Sequence, residues 1–90
     1  MVKKYADSES LLQIPGVGKS IARDLNNIGI YKMADLKGHD PNNLYHLSNT
    51  YAGCVQDRCL LYVFKLAVYY AETPKEFHDK EKLKWWNWKG

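Results

Sequence analysis

A chain of 90 residues with 46% apolar content lies below the usual single-domain size, which excludes a multi-domain enzyme and predicts one domain over residues 1–90. So small a chain buries only about 60 to 65% of its unfolded surface, so its core has to lean on aromatic area from three Trp and seven Tyr. The net charge of +3 suits an anionic partner without demanding one, and the charges are spread through both halves rather than gathered into a block.

The start, Met1-Val2-Lys3-Lys4-Tyr5-Ala6-Asp7, turns polar before an apolar run of signal-peptide length develops, so the cytoplasm is the expected compartment. Asp7 or Ser8 is placed to cap a short helix through Glu9, Leu11 and Leu12, which Pro15 stops at Ile14. Gly16 and Gly18 bracket Val17 in a tight connector. From Lys19 the spacing Ile21, Ala22, Leu25, Ile28 predicts a second helix, with Gly29 where a left-handed helix end favours glycine. Residues 8–28 thus read as helix, four-residue hairpin, helix.

Met33, Ala34 and Leu36 predict one more short helix, broken by Gly38, and Asp40-Pro41 starts another through a cap and a first-turn proline. Leu44 and Leu47 are its expected inward face, and residues 48–56, with Asn49, Thr50 and Gly53, read as a loop. Between Cys59 and Ala71 only Lys65 is charged, and Arg58, Lys65 and Glu72 recur every seven residues. That predicts a central helix over about residues 57–73, apolar except for one narrow stripe. It is too short and interrupted to span a bilayer, in keeping with a mean hydropathy of −0.51. Thr73-Pro74 ends it, a final polar helix is expected through Glu76 and Phe77 to about Leu83, and residues 83–90 form an aromatic end around Trp85, Trp86 and Trp88. With no strand signal, the expected fold is all-α, with five or six short helices in a single small domain.

Cys54 and Cys59 are too few for a disulfide scaffold and read as reduced packing thiols, while His39, His46 and His78 lack ligand spacing to them, so no metal site is expected. Asp57 and Arg58 are suited to capping the central helix. The segment with chemistry is the hairpin. A glycine turn that opens into a helix aims unpaired amides outward at the positive end of a dipole, which makes an anion site. Lys19 adds a mobile cation, Ser20 a hydroxyl donor, and Arg23 lies one turn further on. The opposing reading is a turn that only packs two helices, with Arg23, Lys32 and Lys37 as ordinary surface charges. A nucleotide P-loop is excluded because its first glycine falls at position 13, which is Gln13.

Ile14-Pro15-Gly16-Val17-Gly18 followed by Ala22 resembles the helix-hairpin-helix motif at every defining position. The resemblance implies non-sequence-specific binding of the DNA backbone by Gly16, Val17, Gly18, Lys19, Ser20 and Arg23. It also allows a monovalent cation on the hairpin carbonyls, with no other cofactor. Asp35 and Asp40 lie where related glycosylases carry a catalytic acid, but ninety residues leave little room for a base-flipping pocket, so no enzyme activity is expected. Further along, Asp35-Leu36-Lys37-Gly38, Asp57-Arg58-Cys59, Ala67-Val68-Tyr69-Tyr70-Ala71 and Leu83-Lys84-Trp85-Trp86-Asn87-Trp88-Lys89 are similar to the pathogenicity-locus family of small bacterial helix-hairpin-helix proteins, some labelled as mitomycin-resistance proteins. That similarity covers residues 9–89, and Leu66 departs from it where cysteine is common. It implies DNA binding linked to repair or damage resistance.

The three tryptophans have competing readings: a base-stacking platform, a patch for a protein partner with the hairpin purely structural, or a cover for the apolar central helix, the last being favoured. The near all-round apolarity of that helix, with Tyr62, Tyr69 and Tyr70, makes a homodimer the other way to cover it.

Overall fold

The computed structural model describes residues 10–88. Within them the chain is all-helical: three α-helices, α1 (Lys19–Asn26), α2 (Pro41–Ala52) and α3 (Arg58–Glu72), joined and followed by short 3-10 turns, with no strand. Three α-helices stand where five or six short helices are expected, because several of the expected helices are single 3-10 turns.

The centre is α3. The Asp57 side chain accepts the Cys59 amide at 2.8 Å and starts the helix. Leu60, Val63, Phe64, Leu66, Ala67 and Val68 are buried along it, and no single stripe of a helix holds all six, so neighbours have to cover it from several sides. The polar stripe keeps Arg58 and Glu72 at the surface. Glu72 is used structurally, since its carboxylate accepts the Gly38 amide at 2.7 Å and ties that bend to the end of α3.

α2 starts as its sequence predicts, with Asp40 accepting the Asn42 amide at 2.9 Å and Pro41 in the first turn. It then runs through residues 48–52, correcting the expected loop there. The polar side chains that suggest a loop find partners in the helix or just beyond it. Thr50 Oγ1 donates to the His46 carbonyl at 3.1 Å, Asn49 Oδ1 accepts the Gln56 amide at 2.9 Å, and Ser48 Oγ accepts Gln56 Nε2 at 2.9 Å. Ser48 is buried and takes the inward position one turn after Leu44, which leaves Leu47 42% exposed instead of facing the core as expected. Gly53, at φ +75°, ends the helix in the left-handed conformation.

Leu11–Gln13 is one 3-10 turn capped by Ser10, and it stops at Ile14 as Pro15 requires. The proposed caps Asp7 and Ser8, with Glu9, lie outside the described residues. The expected polar helix after Pro74 is corrected to two 3-10 turns, Lys75–Phe77 and Lys80–Leu83, and the aromatic end forms a third, Trp85–Trp88. Each is held by contacts to α3 or to the previous turn that a continuous helix would break. His78 Nε2 donates to the Tyr70 and Thr73 carbonyls at 3.1 and 2.8 Å, capping the end of α3. The Tyr69 hydroxyl accepts the Asp79 amide at 2.9 Å, and Trp88 Nε1 donates to the Lys82 carbonyl at 2.7 Å.

Phe64 is fully buried, so Phe64→Ala should destabilise the protein by about 3–5 kcal/mol. Leu47→Ala should stay within about 0.5 kcal/mol. Urea unfolding of the two variants beside the parent chain measures both.

Candidate nucleic-acid interface at the hairpin

Residues 14–17 form a reverse turn in which the Val17 amide donates to the Ile14 carbonyl at 3.0 Å. Proline second and glycine third, with Gly16 at φ +86°, is the arrangement of a type II turn, whose third position excludes most side chains. Ile14 and Val17 are 1% and 5% exposed, so both anchor the turn in the core. The Val17 amide is therefore already engaged, and of the expected phosphate-binding amides it is the one the turn keeps for itself.

The amides that stay open belong to the next three residues. Gly18 is the N-cap of α1 and supplies no side chain to its first turn. Among the described residues nothing accepts from the amides of Gly18, Lys19 and Ser20. All three residues are exposed, as is Arg23 one turn later on the same side. Gly18 has extended angles, φ −97° and ψ −171°, and a Cβ there would meet nothing within 4 Å. The fold itself does not require glycine at this position. Its effect is to leave three backbone donors and two cations bare at one helix end.

Lys32 and Lys37 do not extend this surface. Lys37 precedes Gly38, which Glu72 holds at the far end of α3, whereas the hairpin lies beside the beginning of α3, next to Cys59 and Leu60. A helix of fifteen residues spans roughly 22 Å, so Lys37 does not flank the turn. Lys32 is half-buried, and its amide donates to Asp35 Oδ2 at 3.3 Å. Asp35 thereby serves as a local cap, accepting the Tyr31 amide as well at 3.0 Å.

Trp85 reaches the hairpin, a contact that residue spacing does not reveal. A Cβ on Gly16 would lie 3.4 Å from its Cδ1, so the indole seats against the turn. Trp85 and Trp88 are half-buried against the core and Trp86 is 51% exposed. The favoured reading of the tryptophans as a cover holds for two of the three. Cys54 is exposed, correcting its expected packing role, while Cys59 is half-buried in the first turn of α3. The amide and thiol of Cys59 donate to Asp57 and hold its carboxyl below the usual aspartate range.

These features define a small all-helical protein whose glycine turn is compatible with a helix-hairpin-helix, the leg before the turn being one 3-10 turn in the described residues. The family described as Pathogenicity locus matches residues 4–90, and the chain belongs to that family. It is similar to "Mitomycin resistance protein McrB" of Streptomyces lavendulae, with 37% identity over 67 residues, 74% of this chain and 64% of the relative. The match thus covers slightly less than two thirds of the relative's length. No solved structure matches the chain.

Two outcomes test this local geometry. Gly16→Ala should destabilise by about 1–2 kcal/mol, because alanine must adopt the left-handed region, and thermal or urea unfolding reads it. The lowered pKa of Asp57 means its charge stabilises the fold above the ordinary aspartate range and loses that effect as pH falls through the folded-state value. Asp57→Asn keeps a capping side chain but loses the charge. Its Tm should lie below that of the parent at neutral pH and converge with it on acidification.

Proposed function

We propose that this protein binds DNA without sequence specificity, by docking backbone phosphates on the amides of Gly18, Lys19 and Ser20 with Lys19 and Arg23 as counter-charges. The observation that carries the reading is the uncapped, exposed start of α1 behind a glycine that the fold does not need. An anion there accepts from donors that have no acceptor among the described residues, at the positive end of a helix dipole. The name of the relative, a mitomycin resistance protein, supports placing such binding in resistance. The proposed setting is the cytoplasm, and no step of catalysis is assigned.

One hairpin neutralises few phosphates, so affinity should be weak and its salt slope shallow, about −0.9 per phosphate on duplex DNA. A pair of copies would present two hairpins and raise the apparent affinity without any new contact. The aromatic end is the less supported interaction surface, because Trp85 and Trp88 are turned onto the core and Trp86 is left as its one largely exposed indole.

Fluorescence anisotropy of labelled single-stranded, duplex and branched DNA at several salt concentrations tests the reading. Lys19→Glu should weaken binding at least tenfold with an unchanged Tm. Gly18→Asp is more pointed: the new carboxylate caps α1 and should raise stability by a few tenths of a kcal/mol while abolishing binding. Unchanged affinity in both variants, or no binding of any DNA at low salt, rules the hairpin out as the interface.

A further inference from the structure

We infer that the cavity between α1, the start of α3 and Trp85 is a binding site for a flat organic cation. The cavity has a volume of about 400 Å³, within the range of small-molecule sites. Its apolar walls are Ile21, Leu60, Val63 and the Trp85 indole, and among the described residues the charged side chains lining it are two carboxylates, Asp24 and Asp57. In a chain of net charge +3, this concave surface carries the opposite sign. The cations of α1, Lys19 and Arg23, do not line it.

The ligand class follows from what each wall lacks. Asp24 is half-buried and has no hydrogen bond or ion pair among the described residues, so its carboxylate has acceptor capacity that only water uses. Asp57 stays ionised, since Cys59 donates to it. A neutral ring entering this space would desolvate two carboxylates without compensating them, and an anion would be repelled. A cation offsets both charges, and the delocalised charge of a flat heteroaromatic ring also suits the face of an indole. Trp85 is held for that role: it rests against Gly16 and meets Trp86 edge-on, ring centroids 5.7 Å apart at 86°. A second cavity of about 410 Å³, beside Trp88, is lined by both Lys65 and Glu72. Carrying both signs, it selects no charge.

This inference stands apart from DNA binding, and the two fail separately. The test is isothermal titration calorimetry of the full chain with N-methylquinolinium, with neutral quinoline at pH 7.5, and with quinoline-2-carboxylate. Proton NMR of the indole NH signals, assigned by Trp85→Phe, runs alongside. The expected result is binding of N-methylquinolinium at least tenfold tighter than quinoline, no binding of the carboxylate, and a shift of the Trp85 signal without one at Trp88. Asp24→Asn combined with Asp57→Asn retains the cap and should erase the tenfold preference, whereas Lys19→Glu should leave it in place. Equal binding of quinoline and N-methylquinolinium overturns the inference. So does an unchanged preference in the double variant, the absence of any heat at millimolar N-methylquinolinium, or equal binding of N-acetyl-lysine amide, which has the charge without the ring.

Discussion

One helix that is apolar on nearly every side sets the problem that the rest of the chain solves. Phe64, Leu66 and Ala67 are fully buried on α3 although they cannot share a single stripe, so cover has to arrive from more than one direction. The chain is too short to supply a long helix for each. It uses α2 along one side, the turn at Met33–Leu36 along another and the aromatic turn Trp85–Trp88 along a third. Short 3-10 turns suit this work because each spans only a few residues and can be redirected by one side-chain contact. Tyr69 shows how the redirection is enforced: it accepts the Asp79 amide, lies 5.6 Å from the Trp88 ring and has Lys82 Nζ 5.5 Å from its own centroid.

The same constraint positions the hairpin. Ile14 and Val17 enter the core on both sides of the glycine turn, so the turn itself cannot swing away. α1 leaves it with its first residues exposed and its first amides uncapped, and Gly18 puts no side chain over them. Burial of the apolar turn residues and exposure of the polar helix start are therefore one geometric event. A longer or less apolar turn would lose both.

What could be read from residues alone divides along physical lines. Caps and breakers act within a few residues, and they were legible: Asp40-Pro41, Asp57, Gly29 and Pro15 stand where the helix boundaries fall. The span of α3 follows from an apolar run broken only by Lys65 and bounded by Asp57 and Pro74. Residues 48–52 were not legible, because Ser48 and Asn49 are loop-formers until Gln56, several residues later, becomes their partner. The segment after Pro74 is illegible for the same reason, since its polar composition is helix-compatible and the tertiary bonds to Tyr69, Tyr70 and Thr73 hold it in turns. At the hairpin the glycine pattern locates the turn and the start of α1. It could not show that Val17 keeps its amide, nor that Trp85 arrives from nearly seventy positions away. The acidic lining beside Trp85 joins Asp24 to Asp57 across three elements, and no local spacing encodes that.

Hairpin and cavity share Gly16 as a border, which raises the question of how strongly occupants of the two would influence each other. Unit charges of opposite sign about 10 Å apart attract by about 0.4 kcal/mol in bulk water and about 1.7 kcal/mol at an effective dielectric of 20. At physiological ionic strength the screening length is about 8 Å, which pulls the interaction toward the lower value. A cation in the cavity would then strengthen phosphate docking by a small factor, and phosphate would return the same factor to the cation, because binding linkage is reciprocal. The sign is fixed by charge and the size by distance. Proximity alone does not make the pair a switch: large coupling would need the Trp85 contact with Gly16 to shift between two arrangements, one favoured by each ligand.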